Sequence, residues 1–320
     1  MCDTVMLLEK YDLYLNPPQW RWEELVTQMN TELPWKIAFE DYNSLLHGYG
    51  RDNFKFLVAV DPETGKAISC VYGIHFRRQQ GSHEVFTIGM YYTHPNARHI
   101  GLGRQLFDEI CSSSNGCNLF LNAAPDMAQK YAERSGFKKT APWKIVSLLL
   151  EANQCDLEKL DVDEGVNVMS FESVDFAQVE RYDESVAGGI KRGNFLRKWF
   201  TQAGAYNKFA TDETGQVIGF CNARIVYGNH VALGPFYADN LRVASTLLRS
   251  TLVDVPTLRE RQKISAYISD ANNEGLDMFK RLGNGSLVVN RVIPRLFTKH
   301  VIASPGEKVY AVTDVHASFV

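Results

Sequence analysis

Residues 119–137, LFLNAAPDMAQKYAERSGF, and residues 264–283, ISAYISDANNEGLDMFKRLG, read as one pattern written twice. Each opens as an apolar strand, breaks in a short loop and continues as an amphipathic helix. A glycine ends each helix, Gly136 in one and Gly283 in the other, as expected where the backbone turns left-handed. Working outward, the same doubling recurs. Residues 56–72, FLVAVDPETGKAISCVY, read as strand, turn, strand, and residues 208–223, KFATDETGQVIGFCNA, repeat that order with Asp-Glu-Thr-Gly at the turn. The turn glycines Gly65 and Gly215 stand 150 residues apart, and the helix-ending glycines stand 147 apart. Between them, 85–92 (VFTIGMYY) resembles 231–237 (VALGPFY), each leading into a helical pattern. Three elements in one order at nearly one offset predict an internal duplication.

The rest of the chain fits two units. Helices are predicted at 20–29 and 39–46 in the first half, and at 176–182 and 195–202 in the second. The polar stretch 152–166 predicts the boundary, giving units over 1–152 and 166–320. Residues 143–150 are expected to close the first unit as a strand, and 168–171 to open the second. Helices first, then a hairpin, then two strand–helix pairs and closing strands predict an α/β (α+β) fold in which each unit is a mixed sheet flanked by helices.

Composition narrows the function. The 320 residues suit two domains, and the net charge of -3 is spread without a basic face, arguing against nucleic acid. No apolar run approaches the ~20 residues of a membrane span, and no leader pattern opens the chain. A cytoplasmic protein acting on a small molecule is expected, without a membrane partner. The six cysteines form no Cys-x-x-Cys pair and stand near no histidine cluster, so no metal is expected.

One stretch has the look of a ligand loop: His94-Pro95-Asn96-Ala97-Arg98-His99-Ile100-Gly101-Leu102-Gly103-Arg104. It follows the strand at 85–92 and opens a helix at 104–111. Such a loop presents unpaired N–H groups and the positive end of a helix dipole. Glycines let an anion approach closely, Arg98 and Arg104 add charge, and a phosphate or pyrophosphate is the natural ligand. The loop lacks the Gly-Lys-Ser/Thr end of a Walker loop and the third glycine of a dinucleotide fingerprint.

Arg98-x-x-Gly101-x-Gly103 after His-Pro and a strand resembles the acetyl-CoA pyrophosphate loop of the GNAT (Gcn5-related N-acetyltransferase) superfamily. The block from Asn122 to Gly136-Phe137 is similar to that family's next strand–helix element. The resemblance covers roughly 5–150 by motif and 166–320 by element order, and the nearest pattern is a tandem form with a diverged, YitH-type C-terminal GNAT domain. It implies two tandem GNAT units and an acyltransferase that moves an acetyl or other acyl group from acyl-CoA, a co-substrate, to a small amine acceptor by direct attack in a ternary complex. It further implies a cofactor cleft between the fourth and fifth strands, with backbone at Tyr92 and Thr93 holding pantetheine. The amides of His99, Ile100, Gly101, Leu102, Gly103 and Arg104 would hold the pyrophosphate beside Arg98, and Asn122 is a further contact. The second copy has Ala238-Asp239-Asn240-Leu241-Arg242 at the equivalent place, without glycines, and Asp239 is expected to cap the helix. That copy is expected not to bind the cofactor.

The catalytic groups are less legible. The family's usual tyrosine falls on Ala132 here, leaving Tyr131 next to it as a candidate acid or a packing residue. Glu84 is the best-placed carboxylate for a base or relay, and otherwise a solvated strand-end charge. Trp20, Trp22, Tyr42, Tyr91 and Trp199 could line an acceptor pocket or belong to the core. The loop 188–193 could close over a carboxylate-bearing acceptor. Two alternatives stay open: a non-catalytic CoA-binding sensor or scaffold, and glycine-N-acyltransferase-like transfer of longer acyl groups.

Overall fold

The computed structural model describes residues 8–33, 35–77, 84–316 and 318–320. The first half runs β1 (Asp12–Leu15), α1 (Gln19–Asn30), α2 (Asp41–Tyr49), β2 (Phe54–Val60), β3 (Ala67–Phe76), β4 (Val85–Thr93), α3 (Leu102–Ser112), β5 (Asn118–Asn122), α4 (Ala128–Ser135), β6 (Lys139–Thr140) and β7 (Ile145–Glu151). The second half repeats that order as β8 (Asn167–Met169), α5 (Phe176–Val186), α6 (Gly193–Thr201), β9 (Ala205–Thr211), β10 (Val217–Val226), β11 (His230–Ala238), α7 (Leu241–Asp254), β12 (Lys263–Ser269), α8 (Asn273–Leu282), β13 (Val288–Ile293) and β14 (Arg295–Phe297). A last strand, β15 (Val309–Ala311), follows. Among the described residues no helix is long and apolar enough to cross a membrane.

The local chemistry explains the elements. Pro17 and Pro18 precede α1, whose buried Trp22, Leu25, Val26 and Met29 fall at i, i+3, i+4 and i+7. Both hairpins turn on the predicted glycines, Gly65 at φ 67° and Gly215 at φ 81°. Asp61 and Asp212 accept the turn N–H groups of Glu63 and Thr214. Gly136 ends α4 left-handed at φ 76°. Gly283 does not, at φ −72°; its lack of a side chain lets Leu150 approach, since a Cβ would lie 2.8 Å from Leu150 Cδ2.

Two mixed sheets result. The first has the order β1-β2-β3-β4-β5-β14-β6, the second β13-β7-β12-β11-β10-β9-β8. Neighbours are antiparallel except β4 with β5 and β11 with β12. The strand at 143–150, expected to close its own unit, does not: β7 pairs with β12 and β13 of the second sheet. In return β14 crosses to pair with β5 and β6 of the first. The halves thus trade equivalent strands. In each half a strand precedes the traded one by only a few residues, β6 before β7 and β13 before β14, and each stays home to flank the incoming strand.

The traded strand β14 carries a fully buried cation into the first unit. Arg295 lies 3.5 Å over the Trp143 ring and near Phe120 and Phe319, and its Nη2 donates to the Phe319 carbonyl at 2.6 Å. Burial lowers this guanidinium to about 9, which leaves it charged at neutral pH. The equivalent helices α2 and α6 meet at Gly48, where a Cβ would lie 2.6 Å from Phe195 Cα. Tyr49 stacks on Phe195 at 4.6 Å. Beside them a buried ion pair joins Asp41 of α2 to Arg224 of β10. Asp41 also caps the preceding loop by accepting the Ala38 N–H, and the guanidinium of Arg224 lies 3.9 Å over Trp199.

Candidate functional site

The parallel pairing of β4 with β5 runs from Val85 with Asn118 to Ile88 with Leu121 and then stops. The cause lies on β4. Cys70 faces Tyr92 and Tyr72 faces Gly89, so β4 carries one extra residue, and Met90 takes a left-handed φ of 48°. A bulge of this kind bends the strand and strengthens its twist. From Gly89 to Thr93 the strand has no neighbour on the β5 side among the described residues, and a cleft of about 800 Å³ opens there.

The predicted loop forms one mouth of this cleft. Arg98, His99, Gly101, Gly103 and Arg104 line it, as do Tyr92 and Thr93. Gly101 is the N-cap residue of helix α3 and stands at φ 94°, so the helix has no side-chain cap. The first backbone bond of the helix is from Gln105 N–H to the Gly101 carbonyl, so the N–H groups just before it have no partner among the described residues and can take an external acceptor. His99 is left-handed at φ 65° and exposed, and Ile100 is exposed beside it. Leu102 points inward and is fully buried. Gly103 serves packing, since a Cβ would stand 2.5 Å from Thr93 Oγ1 and 2.9 Å from the Tyr91 hydroxyl.

The charges are arranged accordingly. Arg98 donates to the Thr93 carbonyl and pairs with Glu32 at 2.7 Å. Arg104 pairs with Asp108 and reaches the Ser135 hydroxyl of α4. Lys130 and Arg134 of α4 also line the cleft. They lie at i and i+4, a spacing from which their common face was readable. Asn122 donates through Nδ2 to the carbonyls of Val315 and Ser318. Its Oδ1 is buried without a partner among the described residues.

The catalytic candidates separate. Tyr131 lines the cleft between Phe107 and Phe137, and its hydroxyl makes no hydrogen bond among the described residues. Burial raises its phenol above the ordinary value. Glu84 does not line the cleft. It stands at the opposite end of β4, 2.8 Å from His75 Nε2 and about 43% exposed. Trp22, Tyr42 and Trp199 are core, Trp20 is exposed, and only Tyr91 of that aromatic set lines the cleft. The loop 188–193 is not a lid. Arg192 is buried, bound bidentately to Asp183 and to the Val320 carbonyl and Tyr237 hydroxyl. The five described cysteines are free, with thiols raised by burial; Cys2 lies outside the described residues.

Among the cleft residues that the sequence reading did not name are Trp35, Arg291 and His316. They come from the α1–α2 connection, β13 and the C-terminal segment, and no local motif joins them.

The second unit has the same bulge and not the same opening. Cys221 faces Phe236 and Ala223 faces Leu233, and β11 leaves β12 after Ala232. Here β15 fills the gap, pairing Ala311 with Phe236 and Val309 with Tyr237. The helix start is closed as well. Asn240 caps α7 by accepting the Val243 N–H at 3.1 Å. Asp239, expected to be that cap, instead accepts from the Tyr182 hydroxyl and from Lys308; the helix starts one residue later than the pattern indicated, which turns Asp239 away.

Comparison with known proteins gives a description for each half. Residues 16–137 match the Acetyltransferase (GNAT) family, and residues 179–283 match the Acetyltransferase (GNAT) domain. No match is found among curated proteins. Among solved structures, a candidate acetyltransferase from Pyrococcus horikoshii is 16% identical with a TM-score of 0.67, covering 97% of this chain and 96% of that one. A tandem GNAT protein from the clavulanic acid biosynthesis pathway is 14% identical with a TM-score of 0.63, covering 89% and 98%. A GCN5-related N-acetyltransferase from Sphaerobacter thermophilus is 14% identical with a TM-score of 0.57, covering 95% and 99%. At these identities the structures speak to fold alone. The two matched segments, the doubled element order and the cleft at the divergence of β4 and β5 agree: the chain belongs to the GNAT acetyltransferase superfamily as a tandem member, with one GNAT unit in each half.

Proposed function

We propose that the protein transfers an acyl group, acetyl foremost, from its coenzyme A thioester to the amine of a small acceptor, by direct attack in a ternary complex. The cofactor-binding unit is then 1–152 and the diverged unit 166–320, with β7 and β14 exchanged between them. The observation that carries this reading is the contrast between two equivalent helix starts. In the first unit α3 is uncapped beside an open cleft; in the second α7 is capped and the gap is filled by a strand. The diphosphate of the co-substrate fits the N–H groups from His99 to Arg104, with Arg98, Arg104, Lys130 and Arg134 around it. The pantetheine arm fits along Gly89–Thr93, and the orphaned Oδ1 of Asn122 suits one of its amide N–H groups. A free N–H of β4 would hold the tetrahedral oxyanion. Tyr131, neutral in its apolar setting, is the group in the cleft able to protonate the departing sulfur.

The test is an assay of free coenzyme A thiol released from acetyl-CoA in the presence of an amine panel. The reading expects amine-dependent release that is lost in Gly101→Asp. Tight acetyl-CoA binding with no turnover on any amine would favour a sensor or scaffold instead.

A further inference from the structure

The cleft does not end where β4 and β5 part. Its wall also takes in residues at the seam between the two units: Trp35, then Arg291 and Ile293 of β13, and Val315 and His316 of the C-terminal segment, with the Val315 carbonyl held by Asn122 at the end of β5. The phosphate-binding mouth is built by the first unit, whereas this far end needs both.

Arg291 faces Ser147 of β7, and Ser147 faces Tyr267 of β12, so the three form a row across the second sheet on the face turned to the cleft. The arginine is exposed and makes no ion pair or hydrogen bond among the described residues. Of the other arginines lining the cleft, Arg98 and Arg104 each hold a carboxylate, and Arg134 stands on α4 beside the loop that opens α3. His316 packs its ring edge-on against Trp35 at 4.7 Å, and its backbone N–H donates to the Asp314 carboxylate at 2.7 Å. The charged groups that act on its ring are Asp314, Asp41 and Arg224. Burial outweighs the two carboxylates and lowers the imidazole below its ordinary value, so it is neutral at neutral pH and can accept a proton.

We propose that this end of the cleft is the acceptor subsite, and that the acceptor is a small primary amine bearing an anionic group, with Arg291 holding the anion and His316 taking a proton from the ammonium. The inference rests on the acyl-transfer reading above. A guanidinium that holds no carboxylate among the described residues and stands at the wall of a cleft suits a carboxylate or a phosphate. An alkylammonium with a pKa near ~10 needs a proton acceptor before it can attack. His316 removes one proton, and the nitrogen lone pair then forms the C–N bond to the thioester carbon. The C–S bond breaks, Tyr131 gives its proton to the sulfur, and the second nitrogen proton restores the phenol. The products are an amide, free coenzyme A thiol and one proton released from His316 to solvent.

The experiment compares acceptors that differ only in the anion, with acetyl-CoA saturating: the common amino acids against their carboxamides, and phosphoethanolamine against ethanolamine. The anionic member of one pair should have a kcat/KM about tenfold or more above its neutral partner, and which pair shows it tells carboxylate from phosphate. Arg291→Gln should erase that preference through KM while leaving acetyl-CoA affinity unchanged. His316→Gln should lower kcat and recover as pH rises toward the amine pKa. A preference that survives Arg291→Gln overturns the proposal, as does transfer to neutral amines alone. Weakened acetyl-CoA binding in Arg291→Gln also overturns it, since the arginine would then serve the cofactor. Failure of the parent protein to bind acetyl-CoA at all, read by calorimetry, is failure of the acyl-transfer reading itself.

Discussion

Gly101 was legible in the sequence from its place in a glycine-containing strand–helix loop, and Asn122 only through the family resemblance; both line the cleft. A glycine two before another glycine at a strand–helix junction announces a left-handed turn, and Gly101 stands at φ 94°. Trp35, Arg291 and His316 were not legible, since only the fold brings them to one cleft. Tyr131 lies between those cases: helical geometry set it about 100° from the usual position, and the packing of Phe107 and Phe137 still leaves it on the cleft wall. Tyr131→Phe should lower kcat by about 10²-fold, with little change in acetyl-CoA affinity, in a steady-state assay. A second residue-scale prediction concerns acid stability. Burial and the nearby Lys36 and Lys263 lower His230 from 6.5 to about 4. Below 6.5 the unfolded chain gains a proton that the folded chain refuses until about 4, so stability is full above that window and is lost as pH falls through it. Denaturant midpoints measured on both sides of the window should converge in His230→Asn.

Elements show what pattern reading can and cannot reach. The hairpins, the helices and the doubled order were visible because period and turn chemistry repeat in each half. The destination of β7 was not, because consecutive elements usually stay together and an apolar strand carries no label for its sheet. The two helix starts differ by one side chain. Asn240 closes α7, and no side chain closes α3. Asn240→Ala should therefore cost about 1 kcal/mol of stability in chemical denaturation, whereas Asp239→Ala leaves that cap intact. Neither change should alter acetyl-CoA affinity.

At the scale of the molecule, duplication has become division of labour. One cleft is open and the other is filled by β15, while the traded strands and the α2–α6 contact make each half depend on the other. The buried pair of Asp41 with Arg224 crosses that contact, both side chains at most 6% exposed. Asp41→Ala strands Arg224 in the interior and should cost about 3–5 kcal/mol, read as a lower denaturant midpoint. Residues 1–152 expressed alone should fail to give a cooperative transition, because the first sheet then lacks β14 between β5 and β6.

The most direct test of the central claim is calorimetric titration of the full chain with acetyl-CoA, with dephosphorylated pantetheine as control. The account predicts one site per chain, no binding of the control, and loss of that site in a folded Gly101→Asp protein. No binding, two sites per chain, or unchanged affinity in Gly101→Asp would contradict it.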